Sequence, residues 1–202
     1  MGSEFLVYLR LGMHHIADPK GYDHLLFVTA LTAAYAPSQW RRLLWLVTAF
    51  TLGHSITLAL ATLNLVRVDA RLVEILIPAT IVITSLVAIA ASRLEAVPSP
   101  PGVSRRWQLG HYGLAAGFGL IHGLGFSTFL RSLLGGEASI ALPLFAFNVG
   151  LEAGQVMIVL AVLTAGAGVE RIFRLTRREW VMVISGAAAG IATTMIVDRM
   201  GG

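Results

Sequence analysis

Long apolar segments follow one another along this chain, and each is long enough to cross a lipid bilayer as a helix. A spanning helix needs about 20 predominantly apolar residues. Hydrophobic residues make up 56% of the sequence and charged residues 13%, whereas soluble domains carry about 25% charged residues. We therefore predict an all-α fold, a polytopic membrane helix bundle that forms a single domain over residues 1–202. Six main transmembrane helices are expected near residues 21–37, 41–64, 71–93, 107–133, 139–165 and 179–199.

The segment before the first predicted span has a helical pattern of its own. Phe5, Leu9 and Met13 recur at helical spacing, which predicts a helix over residues 5–17. Because this helix is short for a span and precedes Pro19, we expect an amphipathic helix that is partly inserted in the membrane. A short seventh span is the alternative.

The basic residues form short clusters between the apolar runs, as residues that set membrane topology do. The loops after predicted spans one, three and five hold nine of the 15 Lys and Arg residues, and the opposite side holds six. The positive-inside rule places the nine in the cytoplasm, which predicts a multi-pass membrane protein and, if the cell is bacterial, one of the inner membrane. The expected partner of these basic residues is therefore the lipid bilayer and not a nucleic acid.

Ionisable side chains lie within the predicted spans, where they are costly and mark functional sites. At a rise of 1.5 Å per residue, His54 and His122 lie about 20–22 Å from the start of their spans. Most of the set falls in the same half of the membrane, on five different helices. Residues placed for solubility alone would not coincide in depth in this way. The set comprises Asp23, His24, His54, Glu74, His122 and Glu152.

Further polar residues accompany this set. Asn148, Glu152 and Gln155 follow an i, i+4, i+7 spacing and form one polar stripe along the fifth predicted span. Ser55 adjoins His54 in the second span. The residues expected around the site or along a path to it are Ser55, Glu74, Asn148 and Gln155.

The predicted site binds a divalent transition metal through nitrogen and oxygen, because the chain has no cysteine. Imidazole and carboxylate ligands without thiolate suit Ni, Co, Zn, Fe, Mn or Cu(II). Residues 18–21 have the composition of a turn, which would bring His15 back toward His24. Asp23 would either bind the metal or orient a histidine by accepting its ring N–H. The predicted metal ligands are His15, Asp23, His24, His54, His122 and Glu152.

Four ordered blocks of the chain resemble those of the HupE/UreJ family of bacterial membrane proteins. The resemblance covers roughly residues 5–160 and rests on His15-x5-Gly21-x-Asp23-His24, FTLGHSITLALA, FGLIHGLGFS and FNVGLEAGQ. Members of that family are regarded as nickel or nickel/cobalt permeases linked to hydrogenase or urease maturation. The resemblance implies that His15, Asp23 and His24 handle the metal, that His122 belongs to a second motif, and that nickel is the first ion to expect.

The chain departs from the hydrogenase-linked members of that family at the second motif. Those members carry Phe-His-Gly followed by a Glu on the same helix. Here Ile121 precedes His122, and Phe129 stands where that Glu would be. Glu152 is the carboxylate expected to take its place.

Three functions fit these features. A metal permease would capture the ion at His15, Asp23 and His24 and pass it to the histidines and the carboxylate of the later spans. An intramembrane enzyme of the zinc hydrolase type would hold the metal with an open position for water. A membrane subunit that binds metal without transporting it is the third. The permease is the expectation, and a homo-oligomer is compatible with the sequence.

Overall fold

The computed structural model describes residues 2–18, 21–94, 105–134 and 139–201. These residues form eight α-helices and no strand, so the predicted all-α fold is confirmed. A 3₁₀ turn, Pro37–Gln39, leads into the third helix. Pro19, expected to end the first helix, lies outside the described residues. The helices are α1 Gly2–Ala17, α2 Asp23–Ala33, α3 Trp40–Thr62, α4 Ala70–Leu94, α5 Arg105–Gly125, α6 Ser127–Leu134, α7 Ala141–Phe173 and α8 Arg177–Gly201.

The prediction of six main transmembrane helices needs correction. Among the described residues, α3, α4, α7 and α8 are long and apolar enough to cross a membrane. The pair α5 and α6 makes a fifth span if the two helices are one span bent by 53°. The predicted span at 107–133 is thus two helices, because the chain turns at Phe126 between them.

The predicted first span, 21–37, contains a helix of only 11 residues, α2. This helix is about 16 Å long, whereas the hydrocarbon core of a bilayer is about 30 Å thick. Ala36 is extended, with φ −74° and ψ 154°, because the residue before a proline is driven out of the helical region. Pro37 therefore stops the apolar run from continuing as one helix. The preceding helix, α1, covers the predicted helix at 5–17.

Contacts between the helices show which of their ends lie together. α4 and α8 are antiparallel, since Arg71 near the start of α4 donates to the Met200 carbonyl oxygen at 3.3 Å. α3 and α5 are parallel, since Gly53 packs on Ala116 and Gly123 on His54. One end of the bundle holds the first residues of α3, α5 and α8 and the last residues of α4 and α7, and we call it the basic end. We call the other end of the bundle the opposite end. The basic end carries Arg41, Arg42, Arg171, Arg174 and Arg178.

α3 and α5 approach so closely that glycine is required at their contact. A Cβ atom at Gly53 or at Gly119 would overlap a backbone carbonyl oxygen of the other helix. Small residues permit such an approach in lipid, where close packing drives helices together. Gly12 of α1 and Gly150 of α7 permit an equally close approach between those two helices. These two contacts bring α5 against His54 and fix α1 along the first half of α7.

Two arginines of α8 hold the short helix α2 at both of its ends. Arg177 donates to the Ala33 carbonyl oxygen at 3.0 Å and to the Tyr35 carbonyl oxygen. Arg199 forms an ion pair with Asp23, with nitrogen and oxygen 3.2 Å apart. Helix ends carry unsatisfied backbone groups, and hydrocarbon offers no water to satisfy them. Arg177 of α8 therefore supplies a donor for carbonyl groups that hydrocarbon would leave unsatisfied at the end of α2. Arg199 balances the charge of Asp23 at its start.

Replacing Arg177 by Met should destabilise the protein, because the carbonyl groups at the end of α2 lose their charged donor and Glu170 loses its ion-pair partner. Such hydrogen bonds are worth about 1.5–3 kcal/mol, which lowers the Tm of a chain of this size by roughly 3–12 °C. Thermal unfolding in detergent measures the change. Arg178→Met, which removes an exposed arginine, is the matched control and should shift the Tm by less than about 2 °C. Equal shifts in the two variants would contradict this role of Arg177.

Candidate metal centre

Three histidines from α1, α2 and α3 meet inside the bundle. One ring nitrogen from each of His15, His24 and His54 lies within 4.8 Å of the other two. It is the one such group of three His, Asp or Glu residues that the described part of the chain contains. Nitrogen ligands about 2.1 Å from a tetrahedral ion are about 3.4 Å apart, so side-chain shifts of about 1 Å would close the group around a metal.

The end of α1 and the start of α2 place two of these histidines side by side. His15 lies in the last turn of α1, and His24 is the second residue of α2. Between them, the Gly21 amide donates to the Asp18 carbonyl oxygen at 3.2 Å. The two imidazole centroids are 4.7 Å apart. One edge of the site is therefore made by two histidines that are only nine residues apart in the sequence.

His54 completes the group from α3. Its ring centroid is 5.6 Å from that of His24 and 6.0 Å from that of His15, and the residue is fully buried. At 1.5 Å per residue, His54 lies about 21 Å from the start of α3, and His122 about 25 Å from the start of α5. Because both helices begin at the basic end, the two histidines lie at a similar depth, as their positions in the sequence predict.

A fourth imidazole, that of His122, adjoins the group. Its ring centroid is 4.8 Å from that of His24, and the residue is fully buried. The Nε2 atom is 2.9 Å from the Thr80 hydroxyl oxygen, and the Nδ1 atom has no partner. His122 is therefore available as a further ligand through Nδ1, with Thr80 setting the orientation of its ring.

Phenylalanine rings surround the four imidazoles. The Phe126 centroid is 3.8 Å from that of His15, and Phe126 lies at the break between α5 and α6. Such an apolar shell limits access of water and lowers the local dielectric around a bound ion. The rings in contact with the histidines are those of Phe27, Phe50, Phe126 and Phe147.

Buried ring nitrogens of all four histidines have no hydrogen-bond partner. A buried polar atom without a partner costs about 1–3 kcal/mol, so this cluster lowers the stability of the protein as it stands. A metal ion bound through the free lone pairs would offset that cost. The five atoms are His15 Nε2, His24 Nε2, His54 Nδ1, His54 Nε2 and His122 Nδ1.

The predicted carboxylate ligands lie outside the group of three histidines. Asp23 faces Arg199, as described above. Glu152 accepts a hydrogen bond of 2.6 Å from the Thr48 hydroxyl. Glu74, expected around the site or along a path to it and not as a ligand, is exposed, and its carbonyl oxygen accepts a hydrogen bond from Arg199. The structure thus brings imidazoles together without placing a carboxylate among them.

The predicted surrounding residues bond mainly to the helix backbones and to α3. Ser55 donates to the Thr51 carbonyl oxygen at 2.6 Å. The Asn148 amide donates to the Leu144 carbonyl oxygen at 2.8 Å, and its Oδ1 is buried without a partner. Gln155 accepts a hydrogen bond of 2.8 Å from the Thr51 hydroxyl. The stripe on α7 therefore ties α7 to α3 beside the histidine group.

Sequence reasoning does not select Thr80, Phe126 or Arg199, although each contacts a predicted site residue. For Thr80 a signal exists, because it is a polar residue inside an apolar run, two positions after Pro78. Phe126 resembles any apolar residue of a span, and Arg199 resembles a residue that ends one. Their contacts arise only when distant helices pack together.

Replacing His54 by Leu should raise the Tm of the metal-free protein, because two buried unpartnered nitrogens disappear from the core. The same substitution should abolish the rise in Tm that NiCl₂ produces in the unaltered protein, since a ligand that binds the folded state stabilises it. Thermal unfolding with and without NiCl₂ measures both effects. His14→Leu, at an exposed position next to His15, should change neither the Tm of the metal-free protein nor its rise with NiCl₂. A nickel-induced rise that survives in the His54 variant would show that His54 is not a ligand.

The profile of one protein family, described as HupE / UreJ protein, matches residues 1–199 of the chain. Among curated proteins and among solved structures there is no significant match. The family match extends beyond the four blocks singled out in the sequence and includes Arg177 and Arg199 of α8. Together with the long apolar helices, it identifies a membrane protein whose family handles metal ions. The chain belongs to the HupE/UreJ family.

Proposed function

We propose that the protein is a permease that carries a divalent transition-metal ion across the membrane, with nickel or cobalt as its cargo. The observation that carries this proposal is the group formed by His15, His24 and His54, whose buried nitrogens lack other partners. The association of the family with nickel and cobalt transport supports the same cargo. A buried cluster of imidazoles with no structural partner is hard to explain as packing alone.

The chemistry of the donor set favours this class of ion. Neutral imidazole suits nickel, cobalt, zinc and copper, whereas magnesium and calcium prefer oxygen ligands. The absence of cysteine removes the thiolates that would hold a soft ion tightly. Three neutral ligands also leave the double positive charge of the ion uncompensated, which weakens binding. Binding that is specific but not too tight is what passage through a membrane requires.

The other predicted residues enter the proposal as a path. Asp23 lies next to His24 and would attract the cation by exchanging its partner Arg199 for the ion. His122, whose ring is 4.8 Å from that of His24, would receive the ion next. Glu152 would add negative charge from α7. We also propose that the basic end faces the cytoplasm of the cell, in accord with the positive-inside rule.

Replacing His15 by Ala should reduce the uptake of Ni²⁺ into proteoliposomes at least tenfold, because loss of metal-site groups costs about 10–100-fold in affinity. The measurement is the initial rate of uptake at micromolar NiCl₂. His14→Ala is the matched control, since His14 is the adjacent residue and is exposed, and its rate should stay within twofold. Equal losses in both variants would contradict the assignment. Tight metal binding without any flux would contradict transport and favour a metal-dependent enzyme or a metal-binding subunit.

A further inference from the structure

Among the described residues, four hydroxyl groups away from the histidines are buried without a hydrogen-bond partner. One belongs to Thr62, the last residue of α3, which is only partly buried. The other three belong to Thr32 of α2, Ser85 of α4 and Ser185 of α8, and each of these residues is 0% exposed. Other hydroxyls of α4 bond to their own helix: those of Thr84 and Ser92 each donate to a backbone carbonyl oxygen 2.8 Å away. Any Ser or Thr in a helix can bond to its own backbone in this way, yet these three hydroxyls do not. They are therefore free to bond to a group outside their own helix.

The three hydroxyls lie at one level of the bundle. α2, α4 and α8 meet in an apolar cluster in which Ala34, Ala88 and Val181 pack together. The free hydroxyls on α2, α4 and α8 are two residues from Ala34, three from Ala88 and four from Val181, each toward the opposite end. At 1.5 Å per residue these offsets are about 3, 4.5 and 6 Å, so the heights agree within about 3 Å.

Their helix faces are turned toward the interior of the bundle. Ser85 shares a face of α4 with Ala88, and Ser185 shares a face of α8 with Ala188; both alanines are buried. The indole N–H of Trp180 is also buried and unpartnered. It lies about 7 Å from the level of Ser185 toward the basic end. That nitrogen lies against Gly166 of α7, so the three hydroxyls are the unpartnered polar groups that α2, α4 and α8 supply at this level.

The position of the three hydroxyls relative to the histidine centre can be measured along α2. Thr32 stands eight residues after His24, so the two share one face of the helix. The separation along the helix axis is about 12 Å. The hydroxyls thus lie between the histidine centre and the basic end, on the side toward which an ion crossing from the opposite end would leave.

We propose that Thr32, Ser85 and Ser185 form a hydrated site that receives the metal cation together with bound water after it leaves the histidines. The passage of the ion rests on the proposed function, whereas the hydration does not. Buried water satisfies polar groups that the protein leaves unpaired, with about three hydrogen bonds for each water molecule. A neutral hydroxyl is a weak direct ligand for a nickel-type ion, but it bonds well to the water molecules that the ion carries. A weak, hydrated station lets the ion regain its water shell before release.

The natural absence of cysteine allows a direct test of hydration. Ser85→Cys and Ser185→Cys each introduce a single thiol of nearly the same size as the hydroxyl it replaces. The full chain is reconstituted in liposomes and treated with 2-aminoethyl methanethiosulfonate, a small cationic reagent that needs a hydrated thiolate. Ala192→Cys is the matched control, because Ala192 lies on the same face of α8 as Ser185 and is also 0% exposed.

Both serine-derived thiols should react at least tenfold faster than the thiol at position 192. Equal rates at the three positions would overturn the proposal, whether or not the protein transports nickel. This labelling requires no flux, so its failure is distinguishable from failure of the proposed function. If one of the two serine variants does not fold, as judged by its Tm, the other still gives the answer.

The passage of the ion is tested with the double variant Ser85→Ala and Ser185→Ala. Nickel uptake into proteoliposomes should fall at least fivefold, while the nickel-induced rise in Tm should persist because the histidines are intact. Ser92→Ala, which removes a hydroxyl already bonded to its own helix, should leave uptake within twofold of the unaltered rate. Unchanged uptake in the double variant would overturn the role of this site in the path.

Discussion

The structure depends on the way in which α8 holds α2. A helix of 11 residues cannot cross a bilayer, and its ends would expose backbone groups to hydrocarbon. Arg199 and Arg177 lie near the two ends of α8. Arg199 contacts the carboxylate of Asp23 at the start of α2, and Arg177 contacts the carbonyl groups at the end of α2. This arrangement allows the chain to interrupt a span inside the membrane. The interruption is what places His24, at the start of α2, among residues of other helices.

The site itself works against stability. Five imidazole nitrogens are buried without partners in a shell of phenylalanine rings, and each such atom costs free energy. Close packing of α3 on α5 and of α1 on α7 holds the histidines in this position, because glycines let the backbones meet. Stability is thus supplied by helix contacts that surround the site, and the site keeps its nitrogens free for an ion.

Sequence reasoning reaches the helical fold and the shared depth of His54 and His122, because both follow from periodicity and from a fixed rise per residue. It also selects His15 and His24, since the turn between them is local. It misses the shortness of α2, although Pro37 is visible, because apolar content alone suggests a continuous span. It also misses the partners of Asp23 and Glu152, because Arg199 and Thr48 are distant in sequence and meet them only through packing.

The proposed function depends on His15, His24 and His54 binding the transported ion together. Anomalous diffraction from crystals of the nickel-loaded protein is the decisive measurement, because it locates the metal without reference to activity. We expect a nickel peak within about 2.1 Å of one nitrogen of each of the three imidazoles. A peak located instead at Asp23 or Glu152, away from the three rings, would contradict it.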